Sequence, residues 1–293
     1  MDTQAELLQL KSHLEEESHY KLRDKKTRGE IKIVAEGDSW FDYPLIKDVI
    51  DHLRKMGYCI AKNAKAGDTL ENMVYGTEHE IQSRKRRVIN FGEGDLDETL
   101  ASVKSYKPRF VLFSAGGNDV VGEEMVFYLD HKRANGAKGL DLVRKDIFKH
   151  VVEKVLKPAI IKFCESVWKI NPGIDILMDG YDYPIPNGTS YAKISGPWIL
   201  PGFGAKAIVE RKEQDTILKY FVDGFNEMLR SLDVSYPNFH HIDLRGMFPY
   251  EHQWHNEIHL RKKEYREVAI KYHNKILEIL KVNSLDEITL AED

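Results

Sequence analysis

The residues of this chain that could do chemistry sit in four short segments, each following an apolar run. Gly37-Asp38-Ser39-Trp40 follows the run 31–35, and Ala64-Lys65-Ala66-Gly67-Asp68 follows 58–63. Gly116-Gly117-Asn118-Asp119 follows 110–115, and Trp254-His255-Asn256-Glu257-Ile258-His259 comes after 239–244. Together they offer a hydroxyl, a glycine amide, a carboxamide and an imidazole. Acyl transfer uses those four kinds of group. A serine hydroxyl becomes a useful nucleophile only when a base takes its proton, and histidine is suited to that near neutral pH. Ser39 is therefore expected as nucleophile and His259 as its general base. The Ser39 and Gly67 backbone amides and the Asn118 side chain would then face the tetrahedral oxyanion.

These residues need a scaffold that brings four distant segments to one edge. Strand-like runs at 31–35, 58–63, 87–91, 110–115, 174–178 and 239–244 alternate with helical patterns at 46–56, 96–106, 140–170, 205–232 and 263–280. That alternation implies βαβ units and an α/β fold with a mainly parallel sheet covered on both faces. In such sheets ligands bind at the carboxyl ends of the strands, where the four segments lie. The expected organisation is an N-terminal helical arm over 1–30 and one domain over 31–293, with no linker or internal repeat. Residues 183–204, rich in Pro, Gly and aromatic side chains, read as an insertion able to form a lid or substrate wall.

The order of the blocks resembles the SGNH (GDSL-like) hydrolase superfamily: GDS at 37–39, Gly67 after the second strand, GGND at 116–119 and a late His259. The resemblance implies a flavodoxin-like three-layer α/β/α sandwich, ester hydrolysis through an acyl-enzyme, and no metal or organic cofactor. It carries over Ser39 as nucleophile, Gly67 and Asn118 as oxyanion donors, and His259 as base. One position departs from the pattern. Three residues before the histidine the family usually has Asp, and here stands Asn256. An amide carbonyl can still accept the imidazole Nδ1–H and hold the ring. Asn256, a backbone carbonyl or Glu257 is therefore expected to orient His259, and Asp243 reads as a structural alternative.

Each residue also has a plainer reading. Ser39 could cap a helix, Gly67 could serve a turn, and Asn118 could close an Asx turn. His240, His241, His252 and His255 near His259 invite a metal reading, but no HExxH or comparable spacing appears, and no metal is expected. Trp40, Tyr181 and Trp198 are expected to line the substrate site, with packing as the competing role. Acyl or lipid-like esters fit the apolar insertion, and a carbohydrate O-acetyl ester or thioester fits the same chemistry. Two further readings are a non-catalytic ligand-binding protein on the same fold, and an interaction module that docks a partner through its N-terminal helix.

Composition frames these expectations. The chain has 293 residues, 42% hydrophobic and 31% charged, which describes an ordinary globular protein. Its net charge of -4 gives no general attraction for nucleic acid, and the basic run Arg84-Lys85-Arg86-Arg87 reads as a solvated surface. No run reaches the ~18 apolar residues of a membrane span. No apolar leader precedes residue 26, so a cytoplasmic location is expected. Cys59 and Cys164 both read as small buried hydrophobes of a reducing compartment. No pattern encodes an oligomeric state.

Overall fold

The structure, a computed structural model, describes residues 31–44, 46–76, 79–81, 89–91, 95–190 and 196–290. The expected arm at 1–30 and the basic run at 84–87 lie outside these residues. Strands β1 (Lys32–Gly37), β2 (Cys59–Lys62), β5 (Phe110–Ser114), β6 (Asp175–Asp179) and β7 (Phe239–Ile242) form one sheet in the order β2-β1-β5-β6-β7. All four pairings are parallel. Numbered within this sheet alone, this is the 2-1-3-4-5 order of flavodoxin-like sheets. β5 and β6 are buried along their whole length and β1 is buried after its first residue. That is why these strands read as continuous apolar runs without alternation.

Of the run expected at 87–91, the described residues 89–91 do not join this sheet. They form β4 (Ile89–Phe91), which pairs antiparallel with β3 (His79–Ile81) as a separate two-stranded ribbon.

Helices flank the sheet in two groups. On one side α1 (Val49–Lys55) packs against α9 (Lys262–Leu290). On the other, α2 (Leu70–Tyr75), α3 (Asp95–Tyr106) and α6 (Lys157–Ile170) pack against one another. Phe113 of β5 stacks on Phe163 of α6, with centroids 4.0 Å apart. The short helix α4 (Gly117–Val121) opens the GGND block and touches α8 (Arg211–Ser235), which also packs on β7. The pattern at 140–170 is divided: α5 (Lys145–Val151) passes through a π turn at Val152–Leu156 into α6. The pattern at 205–232 corresponds to α8, which starts later, at Arg211, and a separate short helix α7 (Leu200–Ala205) precedes it.

Local signals set several boundaries. α1 starts three residues later than its periodicity suggests because the Asp48 carboxylate caps it, accepting from the Asp51 amide at 2.9 Å. Thr69 caps α2, which ends at Gly76 with φ 68°. Cys164 is buried as expected, but Cys59 is exposed at the sheet edge, its thiol 2.9 Å from Tyr106 Oη. β2 is an edge strand, so the pleat turns alternate side chains outward.

Candidate active site

The chain leaves β1 through a turn that the Asp38 side chain builds. Asp38 N donates to Ser114 O at 2.9 Å, and the Asp38 carbonyl accepts from Phe41 N and Asp42 N, each at 3.1 Å. The carboxyl group lies buried beneath Ser39. Its Oδ1 accepts from Trp40 N at 2.9 Å and its Oδ2 from Tyr181 Oη at 2.6 Å. Burial pushes this carboxyl up to about 7, against the pull of the Tyr181 and Trp40 bonds. Tyr181 follows β6 with φ 61°, in the left-handed region that costs a non-glycine residue energy. Its hydroxyl on Asp38 and its ring against Trp40, centroids 5.0 Å apart, hold it there.

Ser39 Oγ lies 2.7 Å from His259 Nε2. On the other side of the ring, Nδ1 lies 2.9 Å from Asn256 Oδ1. That oxygen also accepts from the backbone amides of His259 at 2.9 Å and Ile258 at 3.2 Å. A backbone N–H only donates, so the atom facing it is the Asn256 carbonyl oxygen, and His259 Nδ1 must carry the ring proton. Nε2 therefore turns a lone pair toward the Ser39 hydroxyl. The Asn256 Nδ2 donates to Tyr43 Oη at 2.9 Å, and Tyr43 Oη in turn lies 2.9 Å from His255 Nδ1. Trp40 Nε1 ties the same loop down by donating to Ile258 O at 3.1 Å. Burial, aided by the neighbouring His255, lowers His259 to about 3. The imidazole is thus neutral, and able to take a proton, across the whole neutral range.

The Gly67 and Asn118 loops are stitched to each other. Asn118 Nδ2 donates to Asp68 O at 2.7 Å, and Asp119 Oδ2 accepts from Leu70 N at 3.0 Å. Asp68 Oδ1 accepts from Asn72 Nδ2 at 2.7 Å. One N–H of the Asn118 amide is spent on Asp68, which leaves the other for the cavity. Among the described residues no acceptor takes the Ser39 or Gly67 amide. Gly67 has φ 85° and open space where a Cβ would stand, so backbone conformation rather than close approach selects glycine. In the GGND block it is Gly116, at φ 97°, that makes the left-handed turn. Gly117 is selected by proximity: a Cβ there would meet the Tyr181 ring at 2.9 Å.

Ser39 stands between two cavities. The inner one, about 30 Å³, is walled by Trp40, Val121, Tyr181, Val222, Phe225 and Trp254. The outer one, about 150 Å³, is lined by Tyr43, Pro44, Ala66, Gly67, Trp198 and His259. Ser39, Asn118 and Ile258 belong to both. Of the expected substrate-site residues, Trp40 and Tyr181 face the inner cavity and Trp198 the outer, where it meets the His259 ring edge-on at 5.3 Å.

Glu257 does not orient His259. Its buried carboxylate accepts from the amides of Gly188, Trp198, Ile199 and Leu200 at 2.6–3.1 Å, pinning the insertion and the start of α7. Asp243 is exposed and pairs with Arg245. The other histidines disperse: His240 bonds Asp175, His241 bonds Asn226, and His252 stacks on Tyr250. Among the described residues no three His, Cys, Asp or Glu side chains gather as a metal site would require. Nor is any described helix long and apolar enough to cross a membrane.

Sequence reasoning missed the Asp38–Tyr181 bond, the ring contact of Tyr43 with His259, and Phe225 and Val222 as wall residues. The last two lie on the buried stripe of α8, where nothing separates a wall residue from a core residue.

No family model matches the sequence, and no curated protein matches it. Solved structures do. Phospholipase A1 from Streptomyces albidoflavus is 14% identical with a TM-score of 0.46, covering 74% of this chain and 80% of its own. An extracellular lipase from Streptomyces rimosus is 12% identical with a TM-score of 0.44, covering 79% and 86%. A family 3 carbohydrate esterase from Clostridium thermocellum is 12% identical with a TM-score of 0.42, covering 86% and 98%.

Proposed function

We propose that this protein hydrolyses carboxylic esters through a covalent acyl-enzyme on Ser39. The observation that carries the proposal is the continuous line Ser39 Oγ–His259 Nε2, His259 Nδ1–Asn256 Oδ1, at 2.7 and 2.9 Å. As Oγ attacks the ester carbon, its proton passes to His259 Nε2 and the carbonyl π pair moves to oxygen. The amides of Ser39 and Gly67 and the spare N–H of Asn118 supply donors for that oxyanion. When the C–O bond breaks, His259 returns the proton to the departing alkoxide. Water, deprotonated by the same imidazole, then releases the acid.

The tetrahedral carbon has four substituents, and three have assigned directions. Oγ belongs to Ser39. The oxyanion points to Gly67 and Asn118, and the leaving oxygen points to His259, both on the outer side. The acyl group is left with the inner cavity, whose walls are mainly apolar and aromatic. This lining favours an apolar acyl group over a polar one.

A panel of p-nitrophenyl esters from acetate to decanoate, run with wild type and Ser39→Ala, tests the reading. Wild type should turn over members of this series, and Ser39→Ala should lower kcat by ~10⁴-fold or more. Saturable binding of the esters without release of nitrophenol would instead indicate a ligand-binding protein.

A further inference from the structure

In the proposed reaction His259 becomes an imidazolium while its Nδ1–H bonds a neutral amide. A carboxylate in that place would be worth a full opposite charge to the transition state; Asn256 contributes only a dipole. The ring is also buried, and burial drives the charged form out. Something else in contact with His259 must offset part of that cost.

The Tyr43 ring lies over the imidazole face, with centroids 4.2 Å apart and planes at 28°. An aromatic face carries negative quadrupole potential and attracts a cation placed over it, most strongly when water is excluded. Tyr43 itself is buried and cannot swing away: its Oη accepts from Asn256 Nδ2 and bonds His255 Nδ1. The group that fixes the orienting amide thus also presents its π face to the base.

We propose that Tyr43 is a positioning residue of the ester hydrolysis, whose ring face stabilises the protonated state of His259 and takes over part of a carboxylate's role. This inference rests on the acyl-enzyme reading of Ser39 and His259.

The test separates ring electronics from shape. Tyr43→Phe keeps the face, loses the hydroxyl that accepts from Asn256 Nδ2, and serves as the reference whose kcat the series is read against. Replacing that phenylalanine by its fluorinated analogues, up to pentafluorophenylalanine, drains the π face with little change of volume. The expected result is a stepwise fall of kcat reaching roughly ten- to thirtyfold, the scale of a desolvated cation–π contact, with KM within twofold. In an Asn256→Asp background, where a carboxylate supplies the charge, the same series should fall threefold or less. A flat series, or equal falls in both backgrounds, would overturn the proposal. An active wild type with a flat series removes this inference alone, whereas a wild type inactive on every ester removes the hydrolase reading with it.

Discussion

Asn256 holds His259 through one oxygen atom, which accepts the Nδ1–H of the ring at 2.9 Å together with the backbone amides of Ile258 and His259. The two backbone donors fix which end of the amide faces the ring, so the ring tautomer follows from the fold and not from the histidine's surroundings alone. Asn256→Ala would leave a buried Nδ1–H without an acceptor and free the ring to take the unproductive tautomer. The expected loss is between tenfold and ~10⁴-fold in kcat, the upper figure being the scale of tautomer disruption in a serine protease. Esterase kinetics on folded variant protein would check it; a loss below tenfold would mean that Asn256 does not orient the base.

The pH profile follows from burial. With His259 lowered to about 3, kcat/KM should show no acid limb near 6.5. Asn256→Asp would place a negative charge beside the ring and favour its protonated form. The acid limb should therefore move up, toward ordinary histidine values, without a fall in kcat at neutral pH. Steady-state profiles from pH 4 to 8 distinguish the two proteins.

Stability should carry a separate signature from the carboxyl groups beneath the site. Asp38 is pushed up to about 7, and Asp179 and Asp119 to about 6, all chiefly by burial, from 3.8. Groups raised in the folded state hold protons that the unfolded chain releases. Their contribution is complete below pH 3.8 and is lost as pH rises through 6 to 7. His259, being lowered, acts in the opposite sense: its contribution is complete above 6.5 and fades as pH falls toward 3. Asp38→Asn removes one raised carboxyl and leaves the histidine effect in place. Urea denaturation at pH 5 and pH 8 should show a smaller loss across that interval in the variant than in wild type. An identical loss would mean that Asp38 is ionised throughout.

Much of the fold was legible because buried parallel strands leave long apolar runs, and β1, β5 and β6 are such strands. The run at 87–91 was misplaced because so short a strand looks the same in the main sheet and in a two-stranded ribbon, and its partner β3 left no signal. In the site, the segments carrying Ser39, Gly67, Asn118 and His259 could be named from residue type and strand context. Their partners could not. Glu257 sits beside Asn256 in sequence, yet its carboxylate faces the amides of 188 and 198–200, and no spacing rule reports which way a loop side chain turns.

The inner cavity predicts chain-length selectivity. Val121 and Phe225 line it, at α4 and α8. Val121→Phe should shorten the space, lowering kcat/KM for octanoate at least tenfold relative to acetate, a change of the size that a few methylenes are worth in an apolar pocket. Phe225→Leu should shift preference toward longer chains. Ratios of kcat/KM across the ester series report both, and equal effects on all chain lengths would place the acyl group elsewhere.

Removal of one donor tests the proposed oxyanion site. Asn118→Ala should cost about 10²–10³ in kcat with little change in KM. Because the same amide bonds Asp68 O, thermal denaturation should accompany the kinetics to show that the loop remains folded.

The whole account depends on an activated hydroxyl at Ser39. Wild-type protein treated with a fluorophosphonate at neutral pH, then digested and analysed by mass spectrometry, should carry one adduct, on the peptide containing Ser39, and His259→Ala should abolish it. Intact protein that stays unmodified, or that is modified at another residue with equal efficiency in Ser39→Ala, would contradict the account.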